Sequence, residues 1–142
     1  MRAYRASAAW VVLTILTALT AAACAGREPN EASLKDSFAE QIASARVVSE
    51  FRRAGDELTF SGPKGGKADA KWRVHIDSAV VEPEGSQRNP YKGGIESSWF
   101  ADGEALLSSG SFSGLPEAIL DTGIGQECWA FWDASTKRWT WK

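Results

Sequence analysis

The sequence predicts an α+β domain: an N-terminal helix packed on a curved antiparallel sheet of four or five strands. Three observations carry that expectation. Between Ser33 and Ala54 apolar side chains return at steps of three and four, the period of a helix with one buried face. From Ala70 onward they return at steps of two, the period of a half-buried strand. Turn signals such as "GPKGGK" (Gly62 to Lys67) and Asp102-Gly103 separate the apolar stretches of this second region.

The chain opens on a segment of another kind. Arg2 and Arg5 come first, and no charged side chain follows between Ala6 and Cys24. The apolar centre, "WVVLTILTAL" from Trp10 to Leu19, gives way to small residues. A charged start, an apolar middle and a small-residue exit describe a secretory signal peptide over residues 1–23. The arginines stay on the cytoplasmic side and the apolar middle enters the bilayer as a helix. Threonine and alanine dilute the run, which is poorer than the roughly 20 mostly apolar residues of a membrane span.

Thr20-Ala21-Ala22-Ala23-Cys24 resembles the lipobox of bacterial lipoproteins. The resemblance covers the leader alone. It implies that the Cys24 thiol receives a diacylglycerol, that cleavage falls just before it, and that the new amine is acylated too. The position three before the cysteine, usually leucine, is here Ala21. Ala21-x-Ala23 is also an ordinary signal-peptidase site and predicts the same cut, in which case the product is secreted and soluble. Two or more acyl chains hold a membrane firmly where one does not. The expectation is therefore an envelope protein, anchored by lipid (palmitate-type acyl chains) at Cys24 and facing the periplasm or the exterior.

Composition sets further bounds. Of 142 residues, removal of the leader leaves one modest domain, residues 33–142, behind a polar tether at 24–32. Two of the 16 basic residues leave with the leader and none of the 18 acidic ones, so the mature chain carries a net charge of −4. It shows no basic stripe of a nucleic-acid binder. With Cys24 acylated, Cys128 has no partner within the chain, and the fold must rest on burial rather than on disulfides.

Each element has its own signal. Leu34, Phe38, Ile42, Ala45, Val48 and Phe51 mark the buried face of a helix over Ser33–Ala54. Ser33 with Asp36 reads as its N-terminal cap, Arg52 and Arg53 as cations at its negative end, and Gly55 as its left-handed stop. Glu57–Ser61 is a short strand. Trp72, Val74, Ile76 and Val80 line one side of a strand over Ala70–Pro83, with Arg73, His75 and Asp77 on the other. Its length calls for a bend near Ser78. Residues 84–94 read as loop, Ile95–Ala101 as a strand, and Glu104–Leu107 as a further strand after the turn. Pro116 is placed to open a helical turn through Leu120. Glu127–Trp132 and Arg138–Trp141 form a closing hairpin rich in aromatics. One helix followed by such strands resembles the cystatin-like and NTF2-like architectures in element order.

Candidates for function are few. His75, the only histidine, shares a strand face with Asp77, and a pocket between helix and sheet lined by His75, Asp77 and Cys128 is one expectation, that of a small enzyme or ligand-binding domain. No nucleophile adjoins His75 in sequence, and the apolar neighbours of Cys128 raise a thiol pKa. One histidine and one free cysteine make a poor metal site, so neither metal nor cofactor is expected. The six tryptophans after the leader suit core packing, yet both faces of the last hairpin carry aromatics, and one face must meet something other than the helix. Tyr91, Trp99 and Trp132 are the candidate contact residues of a non-catalytic binding or accessory module, its partner another envelope protein or a glycan.

Overall fold

A computed structural model describes residues 28–106, 119 and 122–142. The leader, Cys24 and the first part of the tether lie outside the described residues, as does the turn expected from Pro116 to Leu120 except for Ile119, which is buried in the core.

Helix α1 spans Glu31–Ser44. Its cap is Asn30, whose side chain accepts from the Ser33 amide at 2.9 Å while the Asn30 amide donates back to the Ser33 hydroxyl at 3.2 Å. Ser33 is thus the reciprocal partner in the capping box rather than the cap itself. The helix ends ten residues before the sequence expectation. Ala45 is extended, and Ser49–Ala54 forms strand β1. The reason is a bulge. Glu50 has φ 54°, and the register with the next strand shifts between Ser49 and Arg52. The extra residue lets Val48 and Phe51, three apart, both pack against the core. A bulged strand has here imitated the step of a helix. Gly55 does adopt positive φ, 61°, but in the turn after β1. Arg53 serves as an ion-pair partner for Asp36 at 2.6 Å, tying β1 to α1.

The remaining strands are β2 (Glu57–Lys64), β3 (Lys67–Pro83), β4 (Tyr91–Ala101), β5 (Glu104–Ala105), β6 (Glu127–Asp133) and β7 (Arg138–Trp141). All pair antiparallel in one seven-stranded sheet of order β1-β2-β3-β4-β6-β7, with the two-residue β5 against the end of β4. The sheet thus exceeds the expected four or five strands because β1 replaces the last turns of the helix and the two-residue β5 counts as a strand of its own; Tyr91–Gly94 lengthen β4 into the expected loop. The Asp102-Gly103 turn has both residues at positive φ, 49° and 83°, as a tight hairpin turn requires.

The expected bend in β3 is present. Ile76 pairs with Ser97 and Ser78 with Glu96, so Asp77 is the extra residue. A one-residue bulge exchanges the faces beyond it. Trp72, Val74 and Ile76 point inward before it; Ala79 and Val81 pack inward after it. Val80, expected beside Trp72, therefore turns outward and is exposed.

The core lies between α1 and the inner face of the sheet. Leu34, Phe38 and Ile42 of α1 meet Leu58, Phe60, Trp72, Val74, Ile95, Trp99, Trp132, Trp139 and Trp141. Trp72 stacks on Phe60, and Trp99 meets both edge-on. The indole N–H groups have partners: Trp72 donates to the Gly62 carbonyl, Trp99 to Ser97, Trp139 to Ser33 and Trp141 to Ser37. Aromatic bulk is buried without orphaned donors among the described residues. Gly93 is what lets helix and sheet close: a Cβ there would lie 2.7 Å from a Leu34 methyl and 3.0 Å from the Trp139 ring. No helix among the described residues is long and apolar enough to cross a membrane.

Candidate functional site

Helix α1 covers one face of the sheet, and the outer face of β3, β4 and β6 is the candidate site. It divides at the Asp77 bulge.

On one side lies a charged network. Glu57 accepts from Arg73 at 2.8 Å and lies 3.0 Å from His75 Nδ1. These two contacts, that to Arg73 first, hold the Glu57 carboxyl below its usual range. His75 Nε2 is 3.9 Å from Asp77, and Asp77 accepts from Ser98 at 2.6 Å. The order Ser98–Asp77–His75 places the hydroxyl on the carboxylate rather than on the imidazole. A histidine base must touch the hydroxyl it deprotonates, and although Ser98 stands opposite His75 in register, its hydroxyl is given to Asp77. Arg73 also lies 3.9 Å from the Phe100 ring centroid, a cation–π contact that holds its side chain flat on the sheet.

Beyond the bulge the surface becomes apolar. Val80, Gly94 and Trp129 lie in register across three strands. Trp129 is half-exposed, at 50%, the most exposed of the large apolar side chains described. Its six-membered ring rests on Gly94, where a Cβ would come within 2.9 Å of it. Lys92 holds its ammonium 4.3 Å from the ring centroid. Beside the indole opens a notch of about 140 Å³, lined by Val80, Gly94 and Trp129, by Ser78, Glu82, Glu96 and Glu127 of the same outer face, and by Ile95 and Cys128. Among the described residues none of these three acids is ion-paired.

The structure separates the residues that the sequence grouped. His75 and Asp77 sit exposed on the outer face. Cys128 is buried on the inner face, its thiol directed at the Ile95 carbonyl and its pKa pushed up to about 11 by burial. Among the described residues no pocket between helix and sheet gathers the three, because His75 and Asp77 lie on the face away from α1 and aromatic rings pack beneath the helix. Trp99 and Trp132 are likewise core residues, 1% and 5% exposed, so neither is available as an open contact surface. Tyr91, 37% exposed at the start of β4, does stay at the surface. The residue that sequence reasoning passed over is Trp129. A signal was present: Glu127, Trp129, Phe131 and Asp133 share one face of β6, with acids at both ends, whereas Cys128, Ala130 and Trp132 share a face with no charge at all. The flanking carboxylates mark the first face as the solvated one.

A second concavity, a polar cleft of about 530 Å³, lies between α1 and the β6–β7 turn. Asp36 and Glu40 stand on its helix wall, Lys137 and Arg138 on its hairpin wall, and the edges of Trp132 and Trp139 reach it. Among the described residues no group of three histidine, cysteine or acidic side chains is placed to hold a metal ion.

No family model, curated protein or solved structure matches this chain. Within the described fold, the outer face is therefore the feature that bears on function.

Proposed function

We propose that the chain is a lipid-anchored envelope protein whose α+β domain acts as a non-catalytic binding or accessory module. The leader and Cys24 supply the address. The observation that carries the binding role is Trp129: a large indole left in water on a sheet whose other tryptophans are all buried. Leaving such a ring exposed forgoes roughly 1.5–3 kcal/mol of burial that the fold has taken elsewhere, and exposed aromatic surface of this kind marks contact sites.

Two measurements test the two parts. Mass analysis of the mature N-terminus should find Cys24 as the first residue, bearing diacylglycerol and an amide-linked acyl chain; a retained leader or an unmodified cysteine overturns the anchor. Hydroxyl-radical footprinting should find Trp129 protected in intact envelopes and reactive in the purified protein, with buried Trp99 unreactive in both. Equal reactivity of Trp129 in the two settings overturns the binding role.

The alternative, a small secreted enzyme or ligand-binding domain, draws support from the cleft beside the β6–β7 turn. Its volume falls within the roughly 300–1,000 Å³ of small-molecule sites, and its two walls carry opposite charges. That reading moves the pocket away from His75, Asp77 and Cys128.

A further inference from the structure

We infer that the Trp129 notch is an anchor for one basic side chain, arginine above all, presented by a partner protein. The inference rests on the binding role proposed above and specifies the partner's chemistry.

Size comes first. At about 140 Å³ the notch is well below the roughly 300–1,000 Å³ that encloses a drug-sized ligand or cofactor. It holds one long side chain. Shape comes second. Gly94 contributes no side chain, so the Trp129 ring settles on its backbone and forms, with Val80, the apolar sides of the slot. Such a slot receives an aliphatic stem. Charge comes third. Glu96 and Glu127 pair across β4 and β6 in the row next to Gly94 and Trp129, while on the other side Glu82 follows Val80 on β3 and stands in register with Lys92. Two carboxylates side by side at one end of the apolar slot, with Glu82 matched by Lys92 at the other, fit a chain that is apolar along its length and cationic at its head. They oppose an acidic partner and add nothing for an aliphatic one.

The molecule contains its own precedent. Lys92 already sets an ammonium against the Trp129 ring, and Lys142 does the same at Phe131, 4.6 Å from the centroid. The indole thus already accepts a cation, and the notch borders a flank of the same ring. Arginine suits that flank better than lysine. Its planar guanidinium stacks on an aromatic ring and still bridges two carboxylates. Aromatic and arginine anchors seated in small desolvated pockets are the residues that carry most of the energy of protein–protein contacts.

The test uses the mature protein purified in detergent, with the Trp129 indole N–H followed by NMR. Three probes are titrated: a short Arg-Ser repeat peptide, the matching Glu-Ser peptide, and an N-acetylglucosamine oligomer. The Arg-Ser peptide should shift the Trp129 signal saturably, the Glu-Ser peptide should not, and the affinity of the first should fall as salt is raised from low to moderate ionic strength. Trp129→Ala, followed through the Gly94 amide, and Glu96→Gln with Glu127→Gln should each weaken binding by about tenfold or more. Unchanged thermal midpoints would show that these surface variants remain folded. Absence of binding by the Arg-Ser peptide overturns the inference, as does binding indifferent to the two glutamates. A shift caused by the sugar oligomer and not by the peptide also overturns it, and assigns the face to a glycan. If Trp129 is protected in envelopes while the peptide fails, the basic anchor falls and the binding role stands; if Trp129 is unprotected, the binding role itself falls.

Discussion

Gly93 and Gly94 are neighbours on β4, and each has a tryptophan against it, yet they belong to two different surfaces. Gly93 faces inward, where Leu34 and Trp139 occupy the space of its missing side chain. Gly94 faces outward, where Trp129 lies over it. Inside, each contact is enclosed by others: Leu34 is fully buried, and the Trp139 N–H is spent on Ser33. Outside, the Trp129 ring has sheet on one side and solvent around the rest. The same pair of residue types makes a closed joint on one face and an open one on the other. What distinguishes them is whether a helix lies above.

The comparison can be broken at several strengths. The largest effect should come from removing an inner ring. Trp99→Ala opens a cavity beside Trp72 and Phe60 and orphans part of the Ser97 network, and should cost about 3–5 kcal/mol by chemical denaturation; a loss below about 1 kcal/mol would mean that the inner face is not close-packed. Next is Gly93→Ala. The new methyl meets Leu34 and Trp139, neither of which has room to move, so about 1–3 kcal/mol should be lost. The smallest is Gly94→Ala. Here the obstructing atoms belong to a half-exposed ring that can lift, and stability should change by no more than about 0.5 kcal/mol, while the Trp129 fluorescence shifts toward that of free indole. Equal losses at the two glycines would erase the distinction between the faces.

How much of the molecule was legible in the sequence follows the same division. The α+β class, the bend in β3, the Asp102-Gly103 turn, the last hairpin and the burial of Cys128 all follow from local pattern and composition. The errors arose where a bulge altered the period. Glu50 made Val48 and Phe51 look like successive turns of a helix, and Asp77 moved Val80 from the inner face to the outer one. A bulge adds one residue without any composition of its own, so periodicity reads through it and assigns the wrong face. The site was misplaced for a related reason. Alternation says that Trp129 and Trp132 lie on opposite faces of β6; it does not say which face the helix takes. Only the acids beside Trp129 decide that, and they carry no weight until the helix is set against the sheet.

The bonds from Trp139 to Ser33 and from Trp141 to Ser37 join residues 106 and 104 positions apart. The helix is thus fastened by the last of the described strands. Until β7 has been made, α1 lacks its clasp, and contacts of such sequence separation form late. A clasp that engages only when β7 has been made leaves the helix unfastened through most of synthesis and locks the two ends of the described domain together last.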